Sequence, residues 1–262
     1  MPLPLVDAVG TEHPVARGDA RIVSLVPSVT ELLCDLGLAS QIVGRTGFCI
    51  HPREIVHRIP KVGGTKDVKV DRIRELAPTH VVVNVDENTK ETVDELARFV
   101  PSIVVTHPLA PEDNLGLYRL LGGIFDRIAE TERLCEDFAA AYADLTAVTP
   151  PPERVLYLIW REPWMTVSRD TYISRTLALV GWETVPEEPH TRYPELDPAA
   201  VAGCVDRVLL SSEPYRFREK HLAEVEALVP GARVSLIDGE MTSWYGSRAI
   251  AGLRYLGAYA AR

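Results

Sequence analysis

Residues 114–148, NLGLYRLLGGIFDRIAETERLCEDFAAAYADLTAV, form the longest stretch of the chain that reads as one helix. Leu117, Leu120, Leu121, Ile124, Phe125, Ile128, Leu134, Cys135, Phe138, Tyr142 and Leu145 recur at threes and fours with charges between them, the pattern of a half-buried helix. Prolines bracket it: Pro108 and Pro111 before, Pro150, Pro151 and Pro152 after. At ~1.5 Å per residue such a helix is about 50 Å long, more than one small domain needs. Since α/β-like sequence lies on both sides of it, the expectation is a stiff spine joining two lobes, with function in the cleft between them.

The flanking segments alternate strands and helices. On the amino-terminal side, residues 21–26, 42–44, 80–85 and 102–105 read as short apolar strands, and 29–36, 70–76 and 89–99 as helices. Ser28 with Glu31 fits a capping box at the first helix, and Asn88 fits a helix cap. On the carboxyl-terminal side, residues 154–160, 207–210 and 233–237 read as strands, and 172–180, 219–228 and 249–259 as helices. Continuously apolar strands in this alternation predict parallel sheets covered on both faces. The expected organisation is an amino-terminal α/β lobe over 1–113, the connecting helix over 114–148 and a second α/β lobe over 149–262.

With 262 residues and 46% hydrophobic content, the chain can bury one large core or two modest ones. A net charge of −9 argues against a nucleic-acid or anionic-membrane surface. No apolar core follows basic residues at the amino terminus, and no stretch reaches membrane-spanning length, so the expected location is cytoplasmic, or periplasmic only if a leader has been removed. Cys34, Cys49, Cys135 and Cys204 lack metal-ligand spacing and read as reduced core thiols rather than disulfides. There is no phosphate-binding loop, dinucleotide fingerprint, nucleophile elbow or His-Glu-x-x-His pair, so no catalytic residue is assigned.

In both lobes the polar and aromatic residues follow strands, where open α/β sheets bind ligands. Trp160 and Trp164 flank Arg161 after one strand, Tyr215 follows another, and Trp244 and Tyr245 share a polar loop with Arg248. Aromatic faces suit a flat or amphipathic ligand, and arginines can hold its carboxylates or phosphates; each tryptophan can equally be a lid on the core, and each arginine can pair with a nearby acid such as Glu162 or Glu240. In the first lobe Arg45, Phe48, Cys49 and His51 form the matching loop. Cys49 and His51 are soft donors, but a lone Cys-x-His does not specify a metal site, and His51 before Pro52 also fits a turn. His190, Arg192 and Tyr193 are further candidates. An enzyme using the cleft would draw its acid and base from Asp86, Glu87, His51 and Glu213. A structural protein with an unused cleft would leave the aromatic loops exposed without purpose.

Three segments carry a family resemblance: RIVSLVPSVTEL at 21–32, VGG at 62–64 leading to VDRI at 70–73 and LAPTHVVV at 76–83, and YPELD at 193–197. With them the chain resembles the helical-backbone periplasmic solute-binding proteins that receive vitamin B12, haem and ferric siderophores for ABC importers, the corrinoid-binding branch above all. The resemblance implies two α/β lobes on one long helix, little hinge motion, and a non-enzymatic monomer that binds cobalamin, another corrinoid or a related metal chelate. It also implies Thr65 as a ligand-facing position, where vitamin B12 receptors place a large aromatic. Of the two acids by which the family engages the permease, Asp71 stands at one position and Ala199 at the other, so one docking contact of two is expected, and a cytoplasmic chelate carrier rather than a transporter shuttle, the alternative being an ABC-importer solute-binding subunit whose leader is missing.

Overall fold

A computed structural model describes residues 4–16, 18, 20–148, 150–187 and 191–261, which leaves His190 outside the described residues. The chain divides into two compact units, one of residues 1–108, 112–138 and 245–248, the other of residues 109–111, 139–244 and 249–262.

In the first unit, strands β1 (Ile22–Ser24), β2 (Ile42–Arg45), β3 (His80–Asn84) and β4 (Ser102–Thr106) form a sheet of order β2-β1-β3-β4, parallel throughout. Val81, Val82 and Val83 are all fully buried, as a strand covered on both faces requires. Its helices are α1 (Pro27–Asp35), α2 (Arg53–Val56), α3 (Val70–Leu76), α4 (Lys90–Leu96) and α5 (Asp113–Ile124). Ile73 of α3 and Leu96 of α4 pack on Val23, Leu25, Val81 and Val83.

Two expected caps are corrected. Helix α1 begins at Pro27 behind an extended Val26, and Ser28 makes no cap bond; a proline at the first helical position presets the backbone there. Helix α4 is capped by Thr89, whose hydroxyl accepts from Thr92 N, while Asn88 serves another purpose.

The helix expected over 114–148 is also corrected. It is two helices, α5 and the 19-residue α6 (Ile128–Thr146), separated at Asp126, whose φ is +53°. A Cβ built on Gly122 would lie 1.7 Å from the Thr131 hydroxyl, whereas nine residues of continuous helix would separate these positions by ~13 Å. The chain therefore folds back, with Tyr118 of α5 meeting Phe138 of α6 edge to face at 6.2 Å. Helix α6 alone is the long joining helix: the division between the units falls within it, after Phe138.

The second unit repeats the topology with β5 (Glu153–Leu158), β6 (Trp182–Thr184), β7 (Arg207–Ser211) and β8 (Arg233–Ile237) in the parallel order β6-β5-β7-β8. Its helices are α7 (Tyr172–Ala178), α8 (Leu222–Leu228), α9 (Gly239–Ser243) and α10 (Arg248–Ala260). Alternation sorts β5 between two cores: Val155 and Tyr157 pack with Leu177 of α7 and Leu256 of α10, while Leu156 and Leu158 pack with Val225 of α8. Strand β6 and the short helices α2 and α9 lie outside the expected elements.

All four cysteines are unpaired, and Cys204 is exposed rather than in the core. Among the described residues no helix is long and apolar enough to cross a membrane.

Candidate functional site

Each sheet reverses its strand order beside its first strand, so the crevices lie at the carboxyl ends of β1 and β3 in the first unit and of β5 and β7 in the second.

In the first unit, the loop after β3 is tied down by Asn88, which accepts from Asn84 N at 2.9 Å through Oδ1 and donates to Thr65 O at 2.9 Å through Nδ2. Thr65 sits in a turn closed by Gly64 N donating to Asp67 O at 2.8 Å. The turn needs glycine at Gly63, where φ is +107° and a Cβ would lie 2.3 Å from Asp67 O. Phe48 is 62% exposed, and its ring edge borders Gly64. The buried Tyr245 hydroxyl donates to Glu87 Oε1 at 2.6 Å, and burial together with the Glu87 carboxylate pushes the phenol well above its ordinary range. Phe48, Thr65 and Tyr245 thus reach the same strand ends through neighbouring contacts.

Residues 245–248 are pinned to this unit. Gly246 N donates to Asn114 Oδ1 at 2.6 Å, the Tyr118 hydroxyl donates to Gly246 O at 2.8 Å, and Arg248 clamps Glu31 through Nε and Nη2, both at 2.7 Å. Arg248 therefore braces α1 through Glu31, an acid the sequence did not point to as its partner. Cys49 is fully buried between the Thr30 and Thr46 hydroxyls, at 3.0 and 3.1 Å, and burial raises its thiol pKa. His51 is half-buried nearby, and among the described residues no group of three or more His, Cys, Asp or Glu is placed to hold a metal ion.

In the second unit, a ladder of rings runs across the ends of β5 and β7. Trp160 meets Tyr215 edge to face at 5.7 Å, Tyr215 leans on Phe217 at 4.7 Å, and Phe217 stacks on Trp164 at 6.0 Å with the planes 3° apart. His221 abuts both Tyr215 and Phe217. The Arg161 guanidinium lies 5.7 Å over Trp164 and is held by Glu224, through Nε at 3.2 Å and Nη2 at 2.8 Å, and by Glu162 through Nη1. Trp160 is 39% exposed, so the ladder has an open end. Trp164 and Tyr215 are half-buried against the α8 side of the core. Phe217, His221 and Glu224 were not foreseen; the Tyr215-x-Phe217 alternation is the one local signal for the first of them.

Trp244 joins the loop after β7 by donating from Nε1 to Glu213 Oε1 at 2.7 Å, an oxygen that also accepts from the Ser243 hydroxyl. Burial pushes the Glu213 carboxyl up. Tyr193 packs with the opposite face of the sheet, and Arg192 donates from Nε to Asp170 O at 2.9 Å, so this pair stands apart from the ladder. Asp71 is almost fully exposed and meets Arg74 at 3.0 Å. Ala199 is exposed, its N–H held by Asp197 Oδ1.

Residues 22–204 match the model of a family described as periplasmic binding protein. The vitamin B12-binding protein of Pectobacterium atrosepticum is 23% identical over 183 residues, which is 67% of this chain and 65% of that protein, just under two thirds of its length. The vitamin B12-binding protein of Vibrio parahaemolyticus is 24% identical over 194 residues, 73% of this chain and 70% of that protein. Among solved structures, the periplasmic vitamin B12 binding protein BtuF of Vibrio cholerae gives a TM-score of 0.81 at 16% identity, covering 93% of this chain and 97% of that one. The periplasmic heme-binding protein RhuT from Roseiflexus sp. RS-1 gives 0.75 at 23% identity, covering 94% and 100%. These two likenesses bear on the fold. The expected cytoplasmic location is overturned, because the matched family and both solved structures are described as periplasmic.

Proposed function

The chain belongs to the periplasmic binding protein family, and from that premise we propose that it is a non-catalytic carrier of a metal chelate for an ABC importer, cobalamin or another corrinoid foremost. Haem and ferric siderophores are the next ligands to test.

The observation that carries the reading is the ring ladder Trp160, Tyr215, Phe217 and Trp164 at the β5 and β7 strand ends. Aromatic groups of this kind bury large apolar ligand faces, and each well-set pair adds ~0.5–1.5 kcal/mol beyond area burial. The relatives named for vitamin B12 favour a corrinoid over haem. The strand ends of the first unit, with Phe48, Thr65, His51 and Tyr245, are a further candidate surface, proposed for that unit by itself. Permease docking through Asp71 belongs to the same proposal, and the chain is taken to act as a monomer.

The test is retention of colour. The purified protein, incubated separately with cyanocobalamin, dicyanocobinamide, hemin and a ferric siderophore and then passed through a desalting column, carries a corrinoid absorbance band in near-stoichiometric amount. Elution without any of the four chelates contradicts the reading.

A further inference from the structure

Chelates that share a flat metal-bearing core differ in the charge of their rims, and the ring ladder has a charged group over Trp164. A guanidinium offers five N–H donors in a fixed fork. In Arg161, Nε and Nη2 are taken by Glu224 and Nη1 meets Glu162. The Arg161 side chain is 27% exposed and that of Glu224 37%, so water screens the group only in part. Within this triad, beside Trp164, one cation faces two carboxylates, a net charge of −1. A ligand carboxylate arriving at Trp164 therefore finds its natural partner already bound in a two-pronged pair and meets repulsion from a second acid. Arg216 and Arg218 alternate along the chain with Tyr215 and Phe217 and line, with Phe217, Glu219 and Asp238, a cavity of about 400 Å3, so two acids there match the two cations.

We infer that Glu224 is a specificity-determining residue: by occupying Arg161 it tunes the ladder to ligands with a neutral or cationic rim, such as the carboxamide-bearing corrinoids, and against carboxylate-bearing ones such as haem. The inference rests on the chelate-carrier reading and names the residue that sets its selectivity. Removing the Glu224 charge releases Arg161 for a ligand carboxylate. It leaves the aromatic contacts in place, so a neutral ligand is indifferent to the change.

Binding of dicyanocobinamide and of hemin to the wild type, Glu224→Gln and the double variant Arg161→Met with Glu224→Gln tests this. Wild type binds the corrinoid at least about tenfold more tightly than hemin, Glu224→Gln gains about fivefold or more for hemin with corrinoid affinity held within about twofold, and the double variant loses the gain. If Glu224→Gln fails to fold, Glu162→Gln, which also removes one carboxylate, takes its place with about a twofold gain. Corrinoid binding with no hemin gain in the folded variant overturns the inference alone. Absence of binding by either chelate to the wild type overturns the carrier reading, and the inference with it.

Discussion

Trp160 and Tyr215 meet edge to face, ring centroids 5.7 Å apart, although one follows β5 and the other β7. This contact puts an aromatic pair over the point where the second sheet reverses its strand order, with Trp160 open to solvent.

The ring ladder predicts a split between its two tryptophans. Trp160→Ala weakens chelate binding about tenfold by removing exposed ring surface, and leaves unfolding within ~0.5 kcal/mol of wild type. Trp164→Ala costs about 1–3 kcal/mol of stability as well, because that ring stacks on Phe217 and covers the core. Urea denaturation beside ligand titration separates the two effects; equal stability losses contradict the assignment.

Arg248→Ala destabilises the fold. The Arg248 and Glu31 side chains are only 13% and 16% exposed, so deletion strands a largely buried carboxylate, at a cost of about 2–4 kcal/mol. A change below ~0.5 kcal/mol in chemical denaturation rules out a structural part for the pair.

Glu213 gives stability a pH dependence of defined sign. Burial raises its folded pKa above the usual value near 4.5, so the folded state binds a proton that the unfolded state releases. Its stabilising contribution is fully present below the unfolded pKa and is lost as pH rises through the folded one. In Glu213→Gln that part of the slope disappears, and the unfolding free energies of the two proteins diverge as pH climbs out of the ordinary carboxylate range. Parallel curves contradict the account.

Gly63→Ala should cost about 1–3 kcal/mol, since φ of +107° is a conformation that side-chain-bearing residues rarely adopt and the added Cβ meets backbone at 2.3 Å. Because Thr65 and the rim beside Phe48 depend on that turn, chelate affinity falls with it. Wild-type thermal melting of the variant refutes the turn's role.

The legible parts of the sequence were those with dense local signals. Val81 to Val83 announce a doubly covered strand, and Trp160, Arg161 and Trp164 announce a decorated strand end. Strand β6, three residues with Glu183 in the middle, carries too short a pattern to read. The break at Asp126 escaped because apolar spacing runs on across it, and what bends the chain is the close approach of Gly122 to Thr131. Glu162 was legible as a partner of Arg161, its neighbour in the chain, but the other partners of the two arginines were invisible for a different reason. Glu31 reads as the capping-box partner of Ser28 and Glu224 as an ordinary polar helix position, and the pairings with Arg248 and Arg161 arise only when distant segments meet.

The most direct measurement is titration of tryptophan fluorescence with dicyanocobinamide, cyanocobalamin, hemin and a ferric siderophore, corrected for ligand absorbance. Trp160, Trp164 and Trp244 lie at or beside strand-end loops, so a bound chelate quenches them strongly. Saturable quenching by a corrinoid, with a dissociation constant of about 1 μM or tighter, is the expected result. Absence of saturable quenching by all four chelates up to about 100 μM contradicts it.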